Sequence, residues 1–157
     1  MAVSWSMLTF TPADEVIEKI AESWGWLLRQ SFTPLMFSAL GDMFFQFDSE
    51  SVYWLNTGVG EITKVAESID EFQQKLSTDI AEEWFLPSLI EDLYLAGKPL
   101  KSGQCYTFII QPVFSECKYE VFNINPVDAK EHFVLTGNIH REIQALPDGA
   151  SVKFTVV

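Results

Sequence analysis

Asp42-Met-Phe-Phe-Gln-Phe-Asp48-Ser-Glu-Ser-Val52-Tyr-Trp-Leu-Asn56-Thr-Gly-Val-Gly60-Glu-Ile-Thr-Lys-Val65 decides the fold. Met43, Phe45 and Phe47 alternate with Phe44, Gln46 and Asp48, the two-residue period of a strand. Asp48 to Ser51 is a polar turn, 52–55 a second strand, and 56–60 a glycine-bearing turn before a third strand over 62–65. Three short strands joined by tight turns predict an antiparallel meander.

Upstream, Thr11-Pro12-Ala13-Asp14 has the form of a helix start. Val16, Ile20, Trp24, Leu27 and Leu28 follow at helical spacing, predicting a helix over 12–29. Thr33-Pro34 repeats the signal for a short helical turn ended by Gly41, so residues 1–40 read as a helical preface to a domain over 41–157. Downstream, Ser68 and Glu71 form a capping box for a helix whose buried stripe would be Ile69, Phe72 and Leu76. Asp79 to Glu82 offers a second capping signal. Pro87 starts or kinks a helix with Leu89, Ile90, Leu93 and Tyr94 on its apolar face, ended by Gly97 and Pro99. Strands are expected over 104–110, 119–122 and 131–135, then a short helix from Gly137 to about Ala145, a turn at 146–149 and a strand over 152–156. Phe45, Trp54, Phe72, Leu89, Phe108 and Val134 are the expected core. The whole reads as one compact α+β domain, an antiparallel sheet or sheets with flanking helices.

The chain has 157 residues, 48% of them apolar and 14% aromatic, enough for a real core and too apolar for disorder. No apolar run reaches the length of a membrane span, and no basic region precedes the apolar start, so the expected compartment is the cytosol. Cys105 and Cys117 are expected as reduced, partly buried thiols. The net charge of −12 is uneven: residues 1–97 carry 16 acids and 4 bases, and residues 98–157 carry 6 of each. Such a field repels nucleic acid and attracts basic proteins.

Motifs for chemistry are missing. His132 and His140 stand eight residues apart, not the four that put two zinc ligands on one helix face. Gly58-Val-Gly60 precedes an expected strand rather than a helix, so it reads as hairpin glycines at positive φ, not a phosphate loop. Phosphate-loop, serine-elbow and paired-cysteine motifs do not occur. No catalytic residue, cofactor or metal is expected. The paired acids read as solvated helix faces.

Several stretches, in order, resemble a known family: Gly41 to Phe45, Val52 to Val65, Ser68 to Phe72, Leu100 to Phe108, Tyr119 with Asn123, Asp128 to His132, Gly137 to Ile143 and Leu146 to Gly149. Together they resemble the carboxy-terminal domain of Tdi-type immunity proteins, often preceded by a GAD-like domain where this chain has about 40 residues. The resemblance implies a protein that binds and neutralises a type VI secretion toxin, often a DNase, without catalysis of its own. The loop Gln111 to Glu116 departs from the family, where many relatives carry a proline-rich turn ending in two glycines. An adaptor or chaperone for a secreted effector is the alternative reading. Acids in turns and at helix ends are the expected partner-binding residues: Asp48, Glu50, Glu82, Glu83 and, in the divergent loop, Glu116. The expected partner is a cognate toxin, with no direct nucleic-acid or membrane binding.

Overall fold

Met43, Phe44 and Phe45 are three consecutive residues with no solvent exposure, so the strand carrying them is covered on both faces. The computed structural model describes residues 3–147. Its centre is a five-stranded antiparallel meander in sequence order: β1 (Thr9–Phe10), β2 (Thr33–Ser38), β3 (Met43–Gln46), β4 (Val52–Asn56) and β5 (Glu61–Ala66). The expected three strands are there in register, with Phe44 opposite Trp54 and Leu55 opposite Ile62. Met43 and Phe45 join one core with Trp24, Leu28, Leu55 and Phe133, and Phe44 joins the other with Phe72, Trp84, Phe85 and Ile90. Simple alternation put Phe44 on the same face as Gln46 and Asp48; packed helices make that face a second core.

The helices fall on the two sides accordingly. After the short α1 (Trp5–Leu8), α2 (Asp14–Ser23) and α3 (Gly25–Leu28) belong to the Phe45 side. On the Phe44 side lie α4 (Ile69–Lys75), α5 (Ile80–Phe85) and α6 (Pro87–Leu95). A separate hairpin of β6 (Gln104–Phe108) and β7 (Ile124–Asp128) leads into the long α7 (Ala129–Ile143). Among the described residues no helix is long and apolar enough to cross a membrane.

Several expectations are corrected. The helix over 12–29 starts at Asp14 and breaks at Trp24, whose φ of −109° leaves helical geometry, and Thr11 does not cap it. Residues 1–40 are not simply helical: the expected turn at 33–40 is β2, which pairs with β3 through Phe37 and Met43. Ile69 is exposed, so Phe72 alone anchors the α4 stripe deeply. The expected strand over 119–122 is a loop entering a 3-10 turn at Val121–Asn123, and the strand follows it as β7. The expected strand over 131–135 is the first half of α7, started by Asp128, whose Oδ1 accepts from the N–H groups of Lys130 at 2.9 Å and Glu131 at 3.4 Å. Of the expected core, Phe45, Phe72 and Phe108 are buried, while Trp54, Leu89 and Val134 are half-buried, Phe133 taking the buried place beside Val134. The turn at 146–149 and the strand over 152–156 lie partly or wholly outside the described residues.

The Ser68 cap forms, with its Oγ accepting the Glu71 N–H at 3.1 Å, but Glu71 reaches back to the N–H of Glu67 instead of closing the box on Ser68. Pro87 opens α6 directly after Leu86, held at a left-handed φ of 45°. That turn places α5 and α6 side by side in sequence but not in one rod, which shapes the groove described next.

Candidate functional site

Helix α7 is seated on the meander by its two histidines, each lying against a glycine of a sheet turn. A Cβ at Gly41 would stand 2.1 Å from His132 Nε2, and one at Gly60 would stand 2.5 Å from His140 Nδ1. Both glycines have positive φ, 82° and 72°, so turn geometry and close approach require glycine together. In the Gly58-Val-Gly60 motif only Gly60 has the expected positive φ; Gly58 is small because Pro112 packs against it, 2.7 Å from where a Cβ would be. His140 Nε2 lies 2.8 Å from the carbonyl of Thr57, and burial pushes its pKa down.

His132 is wholly enclosed. Its Nε2 lies 2.9 Å from the Gly41 carbonyl, which can only accept, so Nε2 carries the proton. Nδ1 is then the acceptor for the Thr107 hydroxyl at 3.0 Å. Thr107 in turn accepts from Gln111 Nε2 at 3.4 Å, and that amide nitrogen also donates to the Phe108 carbonyl at 2.8 Å. The chain of donors runs one way and closes on a neutral imidazole. Burial pushes its pKa down to about 4 against the opposing pull of the Gly41 carbonyl. Thr107 and His132 pair as a nucleophile and base would, but Thr107 is buried and does not line the adjacent cavity, so its hydroxyl is held within the core.

Next to it sits a buried carboxylate. Asp42 Oδ1 accepts from the Thr57 N–H at 2.9 Å and lies 3.0 Å from the Thr57 hydroxyl; Oδ2 accepts from Trp54 Nε1 at 3.2 Å. Burial nevertheless outweighs these bonds and raises the pKa to about 6.

Asp42 and His132 therefore act oppositely on stability. Asp42, with a folded pKa above its ordinary 3.8, contributes stability that is full below pH 3.8 and lost as pH rises through about 6. His132, with a folded pKa below its ordinary 6.5, contributes stability that is full above pH 6.5 and lost as pH falls through about 4. Between those limits the two slopes largely cancel. Asp42→Asn removes one of them. Relative to wild type, the variant should lose on the order of 3 kcal/mol between pH 6.5 and pH 4, measured by urea unfolding across that range. Parallel stability curves for the two proteins would contradict this assignment.

Asp42 and Trp54 open onto a cavity of about 290 Å³ that Glu83, Trp84, Gln111 and Tyr119 also line. It joins the meander to α5 and to the loop between β6 and β7. Gln111 is only 3% exposed, and its Oε1 is the one buried side-chain polar atom without a hydrogen-bond partner among the described residues. The Phe108 carbonyl fixes the amide orientation, since it requires the nitrogen on its own side. A second recess, lined by Glu82, Leu86 to Leu89 and Tyr119, lies beside the first, and a third continues past Tyr119 to Leu95 and Phe122. Tyr119, half exposed, stands at the junction of all three.

The structure brings Glu82 and Glu83 to these recesses on α5. Glu116 is exposed in the loop that also carries Gln111 and Tyr119. Asp48 and Glu50 occupy the β3–β4 turn, at the opposite end of that hairpin from Asp42, and Glu50 lines a separate recess with Ser68 and Asp70. Sequence reasoning missed Asp42, Gln111 and Tyr119. Asp42 stood in the deciding stretch, but its burial depends on Thr57 and Trp54 closing over it, which no local pattern records. Cys105 is buried and Cys117 half-buried, both as free thiols. Among the described residues no group of three or more potential ligands could hold a metal.

Residues 66–140 match the family model described as T6SS immunity protein Tdi1, C-terminal. That span runs from the end of β5 to His140 and contains α5, α6, the divergent loop and most of α7. Among solved structures, the crystal structure of Atu4351 from Agrobacterium tumefaciens is similar at a TM-score of 0.51 and 16% identity, over 82% of this chain and 65% of that one. This likeness extends the shared fold beyond the family match, and the chain spans just under two thirds of that protein's length. No curated protein matches. From residue 66 to residue 140 the chain is therefore similar to the C-terminal domain family of the type VI secretion immunity protein Tdi1.

Proposed function

We propose that the protein is a cytoplasmic immunity protein that binds a cognate type VI secretion toxin, a nuclease acting on DNA, and silences it by occlusion without catalysis of its own. The observation that carries this reading is the Tdi1 match over residues 66–140. The charge supports the nuclease. Phosphate-binding grooves are basic, and a partner of net charge −12 meets them quickly and competes with their substrate. The recesses along α5 and α6 support occlusion, because they offer exposed apolar surface at Leu95 and Phe122 with acids beside it.

The toxin-facing surface draws on Glu82, Glu83 and Glu116, with Asp48 and Glu50 adding to the attracting field from further away. The direct test is co-expression with the toxin encoded beside it: survival of the host and co-purification of the pair are expected. Glu82→Lys/Glu83→Lys should slow association about ten-fold at low salt and flatten its salt dependence. Asp48→Lys/Glu50→Lys should slow it less. Unchanged rates and salt slope in both double variants and in Glu116→Lys would move the interface elsewhere. Killing of the host despite co-expression would end the immunity reading.

A further inference from the structure

We propose that the cavity between the β2–β3 turn, β4 and α5 is a guanidinium receptor, occupied in the complex by an arginine side chain of the toxin. The identity of the occupant rests on the immunity reading; the chemistry of the cavity does not. Its volume of about 290 Å³ lies at or below the lower end for small-molecule pockets, roughly 300–1,000 Å³, and suits one inserted side chain.

The lining selects a cation with several N–H donors. Two carboxylates, Asp42 and Glu83, face it with no lysine or arginine among the lining residues, and the one imidazole, His132, is held neutral. An anion is therefore repelled. Gln111 adds an acceptor that has no partner among the described residues, although burying such an atom is costly. Its donor side is already engaged with Phe108 and Thr107, so what Oε1 lacks is a donor, which reaches it from the cavity when the tight wall gives slightly. Asp42 still has acceptor capacity on Oδ2, which receives a single bond from Trp54. The indoles of Trp54 and Trp84, with centroids 6.5 Å apart and planes at 53°, form an aromatic corner with Tyr119. Aromatic faces attract a cation within about 6 Å of the centroid. Guanidinium satisfies all of this at once, with a planar body for the rings and five donors for the spread acceptors. The ammonium of lysine is a strongly hydrated point charge and serves spread acceptors less well.

The test begins with the protein alone. Acetyl-arginine amide should shift the indole resonances of Trp54 and Trp84 in a saturable way. Acetyl-citrulline amide, of the same shape but neutral, should not. Glu83→Gln, on an exposed position, and Gln111→Leu should each weaken the probe about ten-fold. Glu83→Gln should do so without altering thermal stability, so the result stands even if Gln111→Leu misfolds. Equal shifts from both amides, or none from either, would overturn the receptor. With the toxin, Glu83→Gln should weaken the complex and acetyl-arginine amide should compete with it. A complex that forms but ignores both would overturn the proposed occupant while leaving the immunity reading intact. Absence of any complex would defeat the immunity reading and the occupant together, with the probe titration still deciding the cavity chemistry.

Discussion

Phe44→Ala is expected to remove about 3–5 kcal/mol of folding stability, at the upper end for a single truncation. Phe44 has no solvent exposure and lies among four aromatic rings: Phe72 at 5.1 Å between centroids, Trp84 at 5.2 Å, Phe85 at 5.6 Å and Trp54 at 5.9 Å. Those rings come from β4, α4 and α5, so no single element can move in to fill the void. Most of the transfer free energy and most of the cavity cost should then appear together. A domain of this size has only about 5–15 kcal/mol in hand. The denaturant midpoint should fall steeply with an unchanged m-value. Phe47→Ala, half-buried near the strand end, should cost clearly less. A loss below about 1.5 kcal/mol for Phe44→Ala would mean that the cluster collapses easily, contrary to the close packing described. Partner binding should suffer too, because Trp54 and Trp84 form both the neighbours of Phe44 and the wall of the cavity.

The meander was legible because its signals are local. Polar turns separate short alternating runs, and β3 to β5 fall where those runs predict. Of α7 only the second half, from Gly137, was legible; its first half was not, for a physical reason. The buried face of α7 is His132, Phe133, Thr136, Gly137 and His140, a helical repeat carried mostly by polar or small residues. A search for apolar periodicity finds instead the stretch Phe133-Val-Leu135, which looks like a strand, and reads Gly137 as a break. The two histidines are buried only because distant turns at Gly41 and Thr57 supply hydrogen-bond partners, while Thr136 donates back to its own helix. Likewise Thr33-Pro34 carries a helix-start signature, yet the segment pairs with β3, Met36 opposite Phe44 and Phe37 opposite Met43. Of the site, Glu82 and Glu83 were reachable from sequence as acids at the start of a helix. Asp42 and Gln111 were not, since a buried carboxylate and a buried amide owe their character to a cavity built from four separate elements. Propensity settles elements with local signals, and tertiary contacts settle those whose buried faces are polar.

Gly137→Val should destabilise the protein by at least about 3 kcal/mol, and Gly137→Ala should also destabilise, by about 1–2 kcal/mol. Helix propensity argues the other way. Within a helix, alanine is better than glycine by about 0.5–1 kcal/mol, so an unhindered site would gain from the change. The site is hindered. A Cβ at Gly137 would lie 2.5 Å from the carbonyl oxygen of Ser23 and 2.9 Å from its carbonyl carbon. These are backbone atoms at the end of α2, and they do not rotate aside as a long side chain would. Relief requires α2 and α7 to separate. That would stretch the bonds from Trp24 Nε1 to the Phe133 carbonyl, 3.1 Å, and from Trp26 Nε1 to the Gly137 carbonyl, 3.2 Å. Valine, branched at Cβ, adds a second atom to the clash and should also red-shift indole emission as water reaches Trp26. Gly25→Ala is the control, because nothing lies within 4 Å of its added Cβ, and it should be neutral or slightly stabilising. Guanidinium unfolding of the three variants decides the matter. If Gly137→Ala raises the midpoint, propensity outweighs contact there, and the close approach of α2 to α7 is not what selects glycine.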